Sequence, residues 1–117
     1  MSKSLVLEKS IKFALRIVKL YKYLTEHKHE YVLSKQMLLS GTFIAKHVKA
    51  ATQSDSRASF AAQMNLGMIK ASETELWLML LHEGDFLDQK EYDSINADCI
   101  ELIKLTSSIT KTAKETE

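Results

Sequence analysis

The sequence predicts an all-α fold, an antiparallel up-down four-helix bundle. Three observations predict it. Apolar residues recur at helical spacing over four long stretches, and none of these alternates as a strand would. Proline is absent and glycine occurs only three times, so almost nothing breaks a helix from within. The breaks between the stretches are short, which favours antiparallel neighbours.

The first stretch, 5–25, is amphipathic, with Val6, Phe13, Ile17, Leu20, Tyr21 and Leu24 on one side and Lys9, Lys12, Arg16, Lys19 and Lys22 on the other. A polar cluster, "TEHKHE", marks the first break. In the second stretch, 30–51, Leu39, Phe43 and Ala50 share one side, Ser34, Gly41 and Ala45 make a small-residue groove, and Lys35, Thr42, Lys46 and Lys49 form a polar strip. Ser54 or Asp55 is expected to cap the third helix, 55–82, by accepting from its free N–H groups. Gly84 is expected to end that helix in the left-handed conformation. Asp88 followed by Glu91 reads as a capping-box variant at the start of the fourth helix, 88–113. That helix turns Tyr92, Ile95, Cys99, Leu102, Ile103 and Ile109 inward and shows Asp93, Asp98 and Glu101 outward. The last residues, "KTAKETE", are expected to fray.

The third helix departs from the amphipathic pattern. Its segment "ETELWLMLL" holds six consecutive apolar residues, Leu76 to Leu81. Ala62, Leu66, Ile69, Leu76 and Leu80 form one stripe. Phe60, Met64, Met68, Ala71, Leu78 and Met79 form a second, leaving only Gln63, Lys70 and Thr74 as a polar strip. A helix apolar on two faces needs a second neighbour, because a contiguous apolar patch in water favours aggregation. Homo-oligomerisation is therefore expected, with Phe60, Met64, Met68, Leu78 and Met79 as the interface. Glu73 and Glu75 fall inside these stripes, and a buried carboxylate needs partners. His47 and Arg57 are candidates, and the expected role is a buried polar group (Glu73, Glu75, His47) that fixes helix register or subunit geometry.

Composition fits one domain over residues 1–117, with 45% apolar residues to build a core. Net charge is +1, so overall balance points to no partner class. Cys99 is the only cysteine, which excludes an intramolecular disulfide and suits a reducing compartment. Lysines interrupt the apolar pattern of the N-terminal stretch, which argues against a signal peptide or membrane span. A cytoplasmic protein with no membrane partner is expected.

Residues 38–87, "LLSGTFIAKHVKAATQSDSRASFAAQMNLGMIKASETELWLMLLHEGDFL", resemble the bacterial four-helix-bundle protein family. Its members include small proteins encoded in intervening sequences of large-subunit ribosomal RNA genes. A relative is the accessory variability determinant of diversity-generating retroelements. The resemblance rests on Ser40, Gly41 and Thr42, on Ser54, Ser56, Arg57 and Phe60, and on Glu73, Trp77, Leu78, Leu80 and Leu81, with Gly84 and Leu87 in the following turn. It departs from the family after the serine-glycine-threonine start, where His47 replaces the usual asparagine and Ala50 the usual glutamate. The resemblance implies a self-assembling bundle, in some relatives a five-fold ring, without established enzymatic activity. It also implies nucleic acid or a protein such as a reverse transcriptase as partner classes.

The residues themselves offer little catalysis. A di-iron bundle needs two E-x-x-H motifs on facing helices. Here the one instance, Glu26 to His29, falls in the first turn, and "HKH" reads as a solvated turn. No phosphate loop, dinucleotide fingerprint or nucleophile elbow is present. No enzyme, metal or cofactor is expected. The leading functional candidate is a nucleic-acid surface (RNA or DNA) built from Lys9, Lys12, Arg16, Lys19 and Lys22 with Lys35, Lys46 and Lys49. The alternative is a protein-interaction adaptor with no nucleic-acid role.

Overall fold

The structure, a computed structural model, describes residues 2–115, which form α1 (Ser2–Glu26), α2 (Leu33–Thr52), α3 (Arg57–Glu83) and α4 (Gln89–Glu115). There is no strand among them. Every predicted helix is present with boundaries shifted by less than a turn. The tail expected to fray stays helical through Glu115, and positions 116 and 117 lie outside the described residues. The body measures 47 × 21 × 20 Å. The backbones approach α1 to α2, α2 to α3, α3 to α4 and α4 back to α1, while α1 and α3, like α2 and α4, have no Cα atoms within 8 Å of each other. The helices therefore stand at four corners around one core.

That core draws on every helix. Val6, Phe13, Ile17, Leu20 and Leu24 of α1 meet Met37, Ile44 and Val48 of α2, Met64, Ala71, Leu78 and Leu81 of α3, and Ile95, Cys99 and Leu102 of α4. Two glycines set how closely the helices approach. A Cβ on Gly41 would lie 2.9 Å from Ile17 Cγ1, inside contact distance, and one on Gly67 would lie 3.3 Å from Val48 Cγ2. The predicted groove around Gly41 is thus the seat of α1 on α2. Beside it, the buried Thr74 hydroxyl, assigned from sequence to a polar strip, donates to the Lys70 carbonyl (2.8 Å) and shares a hydrogen bond with Ser40 Oγ (2.8 Å). This satisfies two polar groups that would otherwise be costly at a helix contact.

The turns correct three sequence expectations. Ser56, rather than Ser54 or Asp55, caps α3, accepting from the Ser59 N–H at 3.0 Å. Ser54 instead donates to the Ala50 carbonyl at the end of α2 (3.0 Å). After α3, Gly84 has φ −84° and Asp85 takes the left-handed conformation at φ 70°. Aspartate tolerates that region better than most residues, since its short polar side chain bonds locally. Asp88 caps α4 through the Glu91 N–H (2.8 Å), but the reciprocal half of the box is missing because the Glu91 carboxylate lies 3.7 Å from Arg16.

The first turn holds a residue that sequence reasoning overlooked. Glu30 is buried, and its carboxylate accepts from the N–H groups of Ser34 (2.7 Å), Leu33 (3.0 Å) and Val32 (3.2 Å). It fills the positive end of α2, where the first N–H groups have no intrahelical partner. Burial by itself raises its pKa, but the N–H groups of Ser34, Leu33 and Val32 outweigh burial and hold it below the usual carboxylate value. A lowered folded-state pKa contributes stability above the unfolded value of about 4.5, and that stability is lost as pH falls through the folded value. Glu30→Gln should therefore cost about 1 kcal/mol at pH 7, read as a lower melting temperature. The gap from the parent should narrow as pH drops below 4.5. An equal gap at pH 7 and pH 3 would mean the charge is irrelevant.

Candidate oligomer interface and nucleic-acid surface

The two apolar stripes of α3 are real, but the one expected to face another subunit supplies core residues, while the other faces outward. Met64 and Leu78 are fully buried within the chain, so they cannot form an intermolecular surface. Phe60 and Met68 are half-buried, and of the expected interface only Met79 is exposed. The inward row is Ala61, Met64, Gly67, Ala71, Thr74, Leu78 and Leu81. It is small at its middle because α2 comes so close there. The large residues Leu66, Ile69, Leu76 and Leu80 are all displaced to the outside and exposed, with Ala62 beside them. In "ETELWLMLL" the neighbours alternate accordingly: Leu78 and Leu81 are core, Leu76, Met79 and Leu80 are outward, and Trp77 is half-buried.

A second outward strip lies on α1, which sequence analysis treated as single-faced. Ile11, Leu15 and Val18 are exposed at i, i+4 and i+7, flanked by half-buried Leu7, Ala14 and Tyr21. Lys12, Arg16 and Lys19 each directly follow one of these residues, so the strip is interleaved with cations along the sequence. Because α1 and α3 sit at diagonal corners, the chain carries two apolar strips on opposite sides.

The expected buried polar set is also revised. Glu73 is exposed and pairs with Lys70 at 3.0 Å. Its neighbours on the stripe face solvent, so its carboxylate stays hydrated. Glu75 and His47 are half-buried, and the His47 ring nitrogen Nδ1 lies 3.1 Å from Gln63 Oε1, joining α2 to α3. The buried carboxylate of this bundle is Glu30.

The cations divide by helix. On α1, Lys9 pairs with Glu101 of α4 at 3.2 Å, and Arg16 binds Asp98 at 2.8 Å and Ser94 Oγ at 2.7 Å. The α1 strip predicted as a free surface thus partly faces the acidic side of α4. Lys12, Lys19 and Lys22 remain exposed. On α2, Lys35, Lys46 and Lys49 are exposed and no carboxylate pairs with them among the described residues. Lys46 Nζ stands 4.4 Å from the centroid of the Phe43 ring, a contact that orients the ammonium without neutralising it.

The chemistry of the remaining candidate groups is muted. Cys99 is buried, its Sγ donates to the Ala71 carbonyl at 3.2 Å, and burial, with Glu75 and Asp98 adding, pushes its thiol up to about 12. His82 donates Nδ1–H to the Leu87 carbonyl (3.0 Å) and stacks on Tyr92 at 4.4 Å, which pins the turn between α3 and α4. Among the described residues no cluster of His, Cys, Asp and Glu has the geometry of a metal site, and no helix is long and apolar enough to cross a membrane.

These features define a small four-helix-bundle protein with unpartnered apolar strips and an open lysine row. The chain belongs to the family described as 23S rRNA-intervening sequence protein, whose profile matches residues 2–108. It is similar to the crystal structure of a protein of unknown function, from the S23 ribosomal protein family, of Bacteroides thetaiotaomicron. Identity is 44%, the TM-score is 0.92, and the match covers 95% of this chain and 99% of that one. No curated protein matches.

Iodoacetamide should leave Cys99 unmodified in the native protein at pH 8 and alkylate it fully in denaturant, because the buried thiol is protonated. Native alkylation at the denatured rate would show that the α3–α4 contact opens readily.

Proposed function

We propose that the chain is a non-catalytic scaffold that self-associates through its outward strips and binds nucleic acid through the lysines of α2. The observation that carries this is the outward row Leu66, Ile69, Leu76 and Leu80. Four large aliphatic side chains on one helix face, each 37–45% exposed, would gain roughly 1 kcal/mol apiece on covering what remains in water. Among the described residues none covers them. The diagonal placement of the α1 strip favours a head-to-tail contact, α3 of one copy on α1 of the next, which closes into a ring if the rotation permits. An antiparallel up-down arrangement supports that geometry. Lys9 with Glu101 and Arg16 with Asp98, then Ser40 with Thr74 and His47 with Gln63, pair rising numbers on one helix with falling numbers on the other.

Repetition around a ring gives the lysines their effect. A single Lys35, Lys46 and Lys49 row makes few phosphate contacts, but linked copies act at high effective concentration. Affinity should then fall steeply with salt.

Light scattering after size exclusion should give a stable multimer at low and high salt. Leu76→Glu with Leu80→Glu should reduce it to a helical monomer, and a monomeric parent would end the scaffold reading. Lys35→Glu, Lys46→Glu and Lys49→Glu together should lower RNA affinity at least tenfold in the intact multimer. Unchanged affinity, with a protein partner that survives nuclease, would favour a protein-interaction adaptor instead.

A further inference from the structure

The connection between α1 and α2 is built unlike the other turns. Within nine residues it carries four aromatic rings, Tyr23, His27, His29 and Tyr31, interleaved with Lys28 and preceded by Lys22. The Tyr23 and His27 rings lie 5.5 Å apart at 30°, and those of His29 and Tyr31 lie 6.5 Å apart at 46°. Tyr31 is 57% exposed, Val32 71% and Tyr23 43%. None of these side chains supports the core, so the fold does not require them to be aromatic.

The rings stand on a fixed base. His29 adopts the left-handed conformation at φ 55°, which reverses the chain, and the Glu30 carboxylate ties down the N–H groups of Val32, Leu33 and Ser34 just beyond Tyr31. His29 Nδ1 lies 3.2 Å from the Tyr31 hydroxyl. Exposed rings that are already held in place lose little entropy on receiving a ligand.

Next to it runs a cleft of about 680 Å³, one wall of which is Arg16, Lys19, Tyr23 and Lys28. Asp85, Asp88 and Glu91 line the other wall. Two of these acids are already engaged, Asp88 by the Glu91 N–H and Glu91 by Arg16. Arg16 is likewise engaged, by Glu91 and Asp98, so the cations left beside the rings are the exposed Lys19, Lys22 and Lys28, with which no carboxylate pairs among the described residues.

From this juxtaposition we infer that the α1–α2 end of the bundle is a stacking platform for single-stranded nucleic acid. Bases lie on Tyr23 and Tyr31 while Lys19, Lys22 and Lys28 face the phosphates. Stacking requires open base faces, which a duplex hides and a single strand presents. This rests on the nucleic-acid reading above and adds to it a place on the molecule and a strand type.

The test compares binding of a fluorescein-labelled 12-nucleotide single-stranded RNA and its duplex by anisotropy across a salt series. Proteins are the parent, Tyr23→Leu with Tyr31→Leu, Tyr23→Phe with Tyr31→Phe, and the α2 lysine reversal. The parent should prefer the single strand. The leucine pair should lose roughly tenfold or more, since stacking on aromatic side chains contributes that much per base. Its salt slope should stay unchanged because the phosphate contacts remain, and the phenylalanine pair should bind like the parent. In the parent, Tyr31 ring protons should shift upfield on adding the single strand, a readout independent of variant folding. If the leucine pair binds like the parent while the lysine reversal fails, the platform is wrong and the nucleic-acid reading stands. A parent that prefers the duplex also overturns the platform. A parent that binds neither probe overturns both readings.

Discussion

The closeness of α2 to its two neighbours is the constraint on which the rest of the bundle depends. Gly41 admits Ile17, Gly67 admits Val48, and Ser40 meets Thr74 through a buried hydrogen bond. Interiors are packed at crystal-like density, so a short interhelical distance leaves room only for small side chains at the point of contact. This decides how α3 is rotated. Its middle must turn Gly67, Ala71 and Thr74 toward the core, and the larger Leu66, Ile69 and Leu76 must then face away. The outward apolar row is a consequence of tight packing inside. Large residues are excluded by volume from a place that their hydropathy alone would assign them.

The same constraint explains what sequence reading recovers and where it stops. The helix positions follow from periodicity and polar breaks, and the buried face of α1 from a single clean stripe. The presence of two apolar stripes on α3 is equally legible, as is the conclusion that such a helix lacks a polar side. Which stripe turns inward is not legible from hydropathy, because Met64 and Leu78 look no more core-like than Leu66 and Leu80. Side-chain volume holds the information, in Gly67 and Ala71, once Gly41 is known to face Ile17. The misplaced interface, and the misassigned burial of Glu73, both come from this one rotation. The turns miss for another reason. Ser54, Asp55 and Ser56 are all competent caps, and only the local path of the chain selects Ser56. Glu30 escapes because its role depends on a reversal at His29 that has no glycine to announce it.

Charge follows packing in the same way. Periodicity puts Lys9, Lys12, Arg16 and Lys19 on one side of α1, but only the cyclic order of helices shows that α4 stands there. Glu101, Asp98 and Glu91 then receive Lys9 and Arg16. Exposed pairs of this kind contribute little to stability. What they do is set the acids of α4 against the bases of α1. A cation engaged in such a pair is less available to a phosphate, so the free positive potential moves to α2 and to the α1–α2 end.

Two kinds of surface thus remain after the bundle has met its own needs. One is aliphatic and lies on diagonal helices, where it suits a second copy. The other combines exposed lysines with ordered rings and lies on α2 and the turn before it, where it suits a polyanion with flat faces. For the lysine row the two are compatible because α2 is neither of the helices that carry the aliphatic strips. The proposed self-association through α1 and α3 would leave the outward lysines of α2 in solvent, once per copy. Assembly would then raise the number of phosphate contacts without demanding a deep site in any chain. This is how a molecule with a net charge of only +1 can present a locally cationic surface.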